Sequence, residues 1–165
     1  MLPSKWKVFK VLNYIQLIYS IGLALFIGYI TLIKPRNPDL SFFTFFFIGI
    51  FSYMAACSSL NLHILHRHFP DKPLIGITRR LHFYFSIINI VLNIFYLIGM
   101  IFITIDYFQA DIDSENMSAT IVLMCFLLIW VNNLYISLME FQITPFIKKN
   151  FLSLIDEIGK ENSKK

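Results

Sequence analysis

Four apolar stretches of the chain are each long enough to cross a membrane as an α-helix. They cover residues 11–33, 42–65, 81–105 and 117–141, and none of them contains Asp, Lys or Arg. At about 1.5 Å of rise per residue, a helix of this length crosses a hydrocarbon layer about 30 Å thick. The stretches are too long for the strands of a membrane barrel, which have about ten residues. The pattern therefore predicts four transmembrane helices.

Short segments connect the four stretches, which favours neighbouring antiparallel helices. We therefore expect an all-α integral membrane protein, a compact antiparallel bundle of four transmembrane helices within residues 1–143. Thr144-Pro145 then interrupts the pattern, and from Ile147 the apolar positions resume on one helical face. This predicts a separate short amphipathic helix and a charged tail over residues 144–165, next to the membrane surface. A continuation of the fourth helix and a docking contact with a partner protein are the alternatives.

Composition and charge support this interpretation. Hydrophobic residues make up 57% of the chain, and 12 of its 14 Lys and Arg residues lie in the N-terminal segment, the second connection or the C-terminal tail. Because Lys and Arg are enriched on the cytoplasmic side, both termini are predicted to be cytoplasmic, in a plasma or inner membrane. This bias accounts for the net charge of +4, so we expect no nucleic-acid partner. Lys148 and Lys149 are expected to contact anionic lipid headgroups.

The strongest hydrogen-bonding side chains lie early in the first and third stretches and late in the second and fourth. Because an antiparallel chain reverses direction at each crossing, this alternation predicts that they share one leaflet. We call them the inner polar cluster: Asn13, Gln16, Asn61, His82, Ser86, Asn89, Asn93, Asn132, Asn133, Ser137 and Glu140. A polar group that faces lipid is costly, whereas amides and hydroxyls form hydrogen bonds between membrane helices. The cluster is therefore predicted either to join helices or subunits, or to line a polar vestibule open to the cytoplasm.

Small residues predict helix-packing seams on the first two helices. Ser20, Ala24 and Gly28 are spaced four residues apart in the first stretch, and Ser52 and Ala56 have the same spacing in the second. Side chains this small allow another helix backbone to approach closely. Both seams are expected to pack against another helix.

Three histidines near the predicted inner membrane boundary are candidate metal ligands: His63, His66 and His82. Imidazole is a common ligand of transition metals. Membrane di-iron enzymes use several groups of histidines, however, and this chain has four histidines in total. Ordinary histidines at the headgroup level are therefore the favoured interpretation. The sequence also lacks a complete catalytic motif and a glycine-rich phosphate loop, so we expect no metal, no cofactor and no enzymatic activity.

The seams and the inner polar cluster favour a non-enzymatic, multi-pass membrane protein that acts as a structural or regulatory subunit. We expect it to form a homo-oligomer or to bind a membrane-protein partner through these helix faces. An oligomeric channel or small-solute transporter, in which the vestibule continues between subunits, is the first alternative. A membrane metalloenzyme that uses the three histidines is the second.

Overall fold

A computed structural model of the protein describes residues 3–33, 38–109 and 116–162. This part of the chain contains four α-helices: α1 (Ser4–Ile33), α2 (Pro38–Arg67), α3 (Gly76–Gln109) and α4 (Asn116–Asn162). Each helix has a segment that is long and apolar enough to cross a membrane. The prediction of an all-helical chain with four such helices is confirmed, and these helices indicate a membrane protein.

The helices extend beyond the apolar stretches that predicted them. The first helix begins at Ser4, because the basic segment before Val11 also consists largely of residues that tolerate helical backbone. The third begins at Gly76, whose φ of 60° lies in the left-handed region that favours glycine. Hydropathy identifies the part of a helix that can lie in lipid. The helical backbone hydrogen bonds continue beyond that part, so the helices are longer than the apolar stretches.

The expected interruption at Thr144-Pro145 is absent, because α4 continues through Pro145 to Asn162. A buried apolar stripe crosses this position: Ile136, Ile143 and Ile147 lie on one helical face, and each is at most 1% exposed. This continuous stripe gives α4 a reason to stay helical despite the backbone hydrogen bond that proline cannot donate. Residues 144–162 therefore belong to the same helix as the fourth apolar stretch, and their position next to a membrane surface stays a prediction.

The chain forms two compact units. The first contains α1, α2 and the part of α4 from Thr144 onward. The second contains α3 and the part of α4 up to Ile143.

In the first unit, α1 packs against α2 with polar residues on its buried face. The buried residues of α1 recur at intervals of three or four: Trp6, Phe9, Asn13, Gln16 and Ser20. Large apolar side chains elsewhere on the helix are exposed, including Leu25 at 69% and Leu32 at 85%. A lipid environment explains this inverted pattern, because packing and interhelical hydrogen bonds hold membrane helices together without a hydrophobic driving force.

An aromatic cluster closes one end of the first unit: Trp6, Phe9, Phe69 and Phe146. The rings of Phe69 and Phe146 are stacked, with centroids 5.3 Å apart and an interplanar angle of 6°. The Nζ atom of Lys5 lies 5.3 Å from the Trp6 ring centroid, within the range of a cation–π interaction. The cluster thus joins the start of α1, the connection after α2 and the C-terminal part of α4.

Candidate functional site

Two buried asparagines connect α1 to α2 in the first unit. Asn61 donates from Nδ2 to Oδ1 of Asn13 over 3.0 Å, although the two residues are 48 positions apart in the sequence. Asn13 in turn donates from its own Nδ2 to the carbonyl oxygen of Phe9 over 2.8 Å. Both asparagines are at most 1% exposed. The pair provides a polar contact between two helices whose remaining surfaces are largely apolar.

Two serines lie buried on the same faces of α1 and α2. Ser20 and Ser58 are both 0% exposed. Neither Oγ atom has a hydrogen-bond partner within the described ranges. The first unit therefore buries more hydrogen-bonding capacity than the Asn13–Asn61 contact uses.

In the second unit, Asn89 of α3 contacts the carboxylate of Glu140 on α4. The Nδ2 atom of Asn89 donates to both carboxylate oxygens, at 3.0 Å from Oε1 and 2.9 Å from Oε2. Glu140 is 1% exposed and Asn89 is 0% exposed. A carboxylic side chain buried in this way is costly without hydrogen bonds, so the Asn89 amide stabilises its position.

A second polar contact lies next to this pair. Asn93 donates from Nδ2 to the Ser137 hydroxyl over 2.8 Å, and that hydroxyl donates to the carbonyl oxygen of Asn133 over 2.9 Å. Trp130 donates from Nε1 to the Asn93 carbonyl oxygen over 3.2 Å. Asn89 contacts Glu140, whereas Asn93, which is further along α3, contacts Ser137, which is earlier in α4. The two helices are therefore antiparallel along this contact.

The structure buries ten of the eleven members of the inner polar cluster, and Asn132 is half-buried. The hydrogen bonds described above join members within each unit. His82 and Ser86 are neighbours on α3, where the Ser86 hydroxyl donates to the His82 carbonyl oxygen over 2.8 Å. That all members of the inner polar cluster lie in one leaflet stays a prediction.

The two predicted seams have different environments. On α1, Ser20 is buried, but a methyl group added at Gly28 would meet no atom within 4 Å. On α2, Ser52 and Ala56 are exposed. The seam residues of α2 therefore lie outside the buried face that contains Asn61.

The exposed side of α2 carries four small residues at intervals of three or four positions. We call it the small-residue face: Gly49, Ser52, Ala56 and Ser59. A methyl group at Gly49 would also meet no atom within 4 Å. The same helical side continues to His63 and His66, which are exposed as well. This surface offers a second helix a shallow, smooth contact with imidazoles at one end.

The histidines do not form a metal-ligand group. Among the described residues, no three His, Cys, Asp or Glu side chains are close enough to hold a metal ion. The ring centroids of His63 and His68 are 6.3 Å apart, and His66 Nε2 lies 3.4 Å from the Tyr14 hydroxyl. His66 of α2 therefore lies beside an aromatic hydroxyl, and His63 of α2 lies near His68 in the connection that follows the helix.

Sequence reasoning missed Trp130 as a member of the α3–α4 contact. Its spacing was informative, because Trp130, Asn133, Ser137 and Glu140 follow one another at intervals of three or four on α4. The predicted cluster contained amide, hydroxyl, imidazole and carboxyl groups but no indole N–H, which also requires an acceptor when it is buried.

The architecture and these contacts define an all-helical membrane protein with polar interhelical contacts inside each unit. No protein-family model, curated protein or solved structure matches the sequence.

Proposed function

We propose that this chain is a non-enzymatic membrane protein, a structural or regulatory subunit that associates with a second copy of itself or with a membrane partner. Its four transmembrane helices form an antiparallel bundle, and both termini lie on the cytoplasmic side of a plasma or inner membrane. The excess of Lys and Arg in the terminal segments and the second connection supports this orientation.

The small-residue face of α2 is the observation that carries the proposal. The opposite side of α2 is occupied within the chain, where residues such as Met54 and Asn61 are buried. Membrane helices associate where small side chains permit close backbone approach, and lipid contact alone gains nothing from such residues. The exposed position of Ser52 and Ala56 therefore favours a contact with a helix outside this chain.

The polar residues have a different role in the proposal. Asn13, Asn61, Asn89, Asn93 and Ser137 already have hydrogen-bond partners on neighbouring helices. These contacts support a role in holding each helix pair together. The amides thus stabilise the folded chain, and the small-residue face supplies the surface for a partner.

The mass of the protein in native lipid nanodiscs tests the proposal, with Ser52→Leu/Ala56→Leu as the disrupting variant. The wild type is expected to run as a dimer or larger assembly, or with a second protein in fixed stoichiometry. The double variant is expected to lose this association, because leucine side chains prevent the close approach. Gly22→Leu is the matched control, since Gly22 is exposed on α1 and has no atom within 4 Å of an added methyl group.

A wild-type protein that is monomeric and copurifies with no other protein would contradict the proposal. An assembly that withstands Ser52→Leu/Ala56→Leu to the same extent as Gly22→Leu would contradict the assigned surface.

A further inference from the structure

A depression of about 520 Å³ lies beside the start of α3, within the second unit. It is located at the N-terminal end of the segment of α3 that is long and apolar enough to cross a membrane, because Arg80 directly precedes the apolar stretch 81–105. The described lining residues recur at intervals of three or four, so they share one side of the helix. We call this depression the arginine pocket: Gly76, Arg79, Arg80, Phe83 and Tyr84.

The charge of the arginine pocket selects an anionic ligand. Two exposed guanidinium groups line it, and none of its described lining residues is acidic. A guanidinium group stays charged at physiological pH, and its planar set of N–H donors matches the oxygens of a phosphate group. Tyr84 adds a phenolic hydroxyl, which is a further donor. The pocket is therefore complementary to a phosphate group.

The chain has another adjacent basic pair, and its surroundings are different. Lys148 and Lys149 line a depression of about 420 Å³ in the first unit, together with Asp156. The carboxylate of Asp156 lowers the positive potential of that surface, and a lysine ammonium group is a point charge without the planar donors of arginine. The arginine pocket is therefore the better suited of the two surfaces to hold a single phosphate group.

The apolar surface next to the arginine pocket indicates that the phosphate group belongs to a lipid. Phe83 is 59% exposed, and exposed apolar side chains continue from it along the same side of α3 at Ile87, Val91 and Ile94. The distance from Phe83 to Ile94 is about 17 Å along the helix axis at 1.5 Å per residue, about half of a hydrocarbon layer about 30 Å thick. An acyl chain of one leaflet covers this length. A soluble phosphate compound would leave the apolar surface unused.

We propose that the arginine pocket binds the headgroup phosphate of an anionic phospholipid, which Arg79 and Arg80 hold while an acyl chain lies along Phe83 and Ile87. The net charge of the lipid determines the specificity, because the ammonium group of a zwitterionic phospholipid is repelled by the two guanidinium groups. The site does not depend on the small-residue face of α2. It differs from the general attraction between basic segments and anionic membranes in holding one lipid at a fixed position.

Native mass spectrometry of the full chain released from detergent micelles tests the proposal through the dissociation constant of the first bound lipid. Phosphatidylglycerol is titrated against phosphatidylcholine with the same acyl chains. Phosphatidylglycerol is expected to bind about tenfold more tightly, since one charge-assisted hydrogen bond gives a preference of this size. Arg79→Gln/Arg80→Gln is expected to abolish the preference. Both arginines are exposed, so the variant should fold, which circular dichroism checks.

Lys148→Gln/Lys149→Gln is the matched control, because it also removes two adjacent positive charges. It is expected to keep the preference for phosphatidylglycerol. A photoreactive phosphatidylglycerol, with a diazirine on an acyl chain, gives a measurement on the wild type that needs no variant. Its cross-links are expected in the segment 76–94 of α3, and inorganic phosphate is not expected to reduce them.

Equal binding of the two lipids would overturn the proposal. Equal losses in the arginine and lysine variants would show diffuse attraction to the basic surfaces, which also contradicts it. Displacement of the photoreactive lipid by inorganic phosphate would assign the pocket to a soluble anion instead, and cross-links that fall outside 76–94 would place the lipid elsewhere.

Discussion

Asn61 of α2 donates a hydrogen bond to Asn13 of α1, with 3.0 Å between Nδ2 and Oδ1 in a fully buried contact. Replacement of either residue alone leaves the other amide buried without this partner. We expect Asn61→Leu to lower the free energy of unfolding by about 1–3 kcal/mol, the cost of a buried unsatisfied group. The measurement is reversible unfolding in mixed micelles.

A double-mutant cycle isolates the contribution of this contact. Asn13→Leu, Asn61→Leu and the double variant are expected to give a coupling energy of about 0.6 kcal/mol, typical of hydrogen bonds between membrane helices. Tyr14→Phe is the control, since the Tyr14 hydroxyl makes its contact with His66 in an exposed position. Additive effects of the two asparagine substitutions would mean that the amides act independently.

The Asn89–Glu140 contact predicts that stability lost on placing a carboxyl group at position 89 is recovered when an amide is placed at position 140. Asn89→Asp places two carboxyl groups against each other in a buried site, so we expect a loss of more than about 1 kcal/mol in unfolding free energy. Adding Glu140→Gln supplies an amide donor opposite Asp and should restore most of the loss. The check is thermal unfolding of the two single variants and the double variant.

A double variant that is no more stable than Asn89→Asp alone would show that the groups at 89 and 140 do not depend on each other. Glu140→Gln alone serves as the control, because its side-chain oxygen can still accept the Asn89 donor.

Gly28 has open space beside it, because a methyl group there would meet no atom within 4 Å. Gly28→Ala is therefore expected to raise the unfolding free energy by about 0.5–1 kcal/mol through its higher helix propensity. Gly76→Ala is the contrasting control and should be destabilising, since the backbone at Gly76 has a φ of 60°. If Gly28→Ala instead weakens an assembly in nanodiscs, a partner helix approaches α1 at this position.

Pro145 lies inside α4, where it cannot donate the backbone hydrogen bond that other residues make to the preceding turn. Pro145→Ala is expected to raise the unfolding free energy by about 1–3 kcal/mol, because the alanine N–H can bond to the carbonyl of Phe141. Pro73→Ala, in the connection before α3, is the control and should have a smaller effect. No gain from Pro145→Ala would favour a helix end at Thr144.

Some features of this protein follow from the sequence because they depend on local composition. A run such as 81–105 forms a helix in lipid whatever its neighbours are, since its backbone must satisfy its own hydrogen bonds. The amides at Asn13 and Asn89 were expected to avoid lipid for a similar reason, and both are buried. The cost of exposing a polar group belongs to the residue itself.

Other features required the tertiary structure because they depend on which surfaces meet. Local spacing assigned Ser52 and Ala56 to a packing seam, but the rotation of α2 buries Asn61 and leaves these two residues exposed. The break expected at Pro145 is absent because a buried apolar stripe continues across it, a property of the environment around α4.

The sequence by itself determined the number of membrane-crossing helices and the residue types that must be sheltered from lipid, because hydropathy and hydrogen-bonding capacity are properties of each segment. The tertiary structure decided that Asn13 meets Asn61, that Asn89 meets Glu140, and that Asn93 meets Ser137. These pairings depend on the rotation and axial position of each helix against its neighbour, and many buried arrangements would satisfy the same pattern of residues.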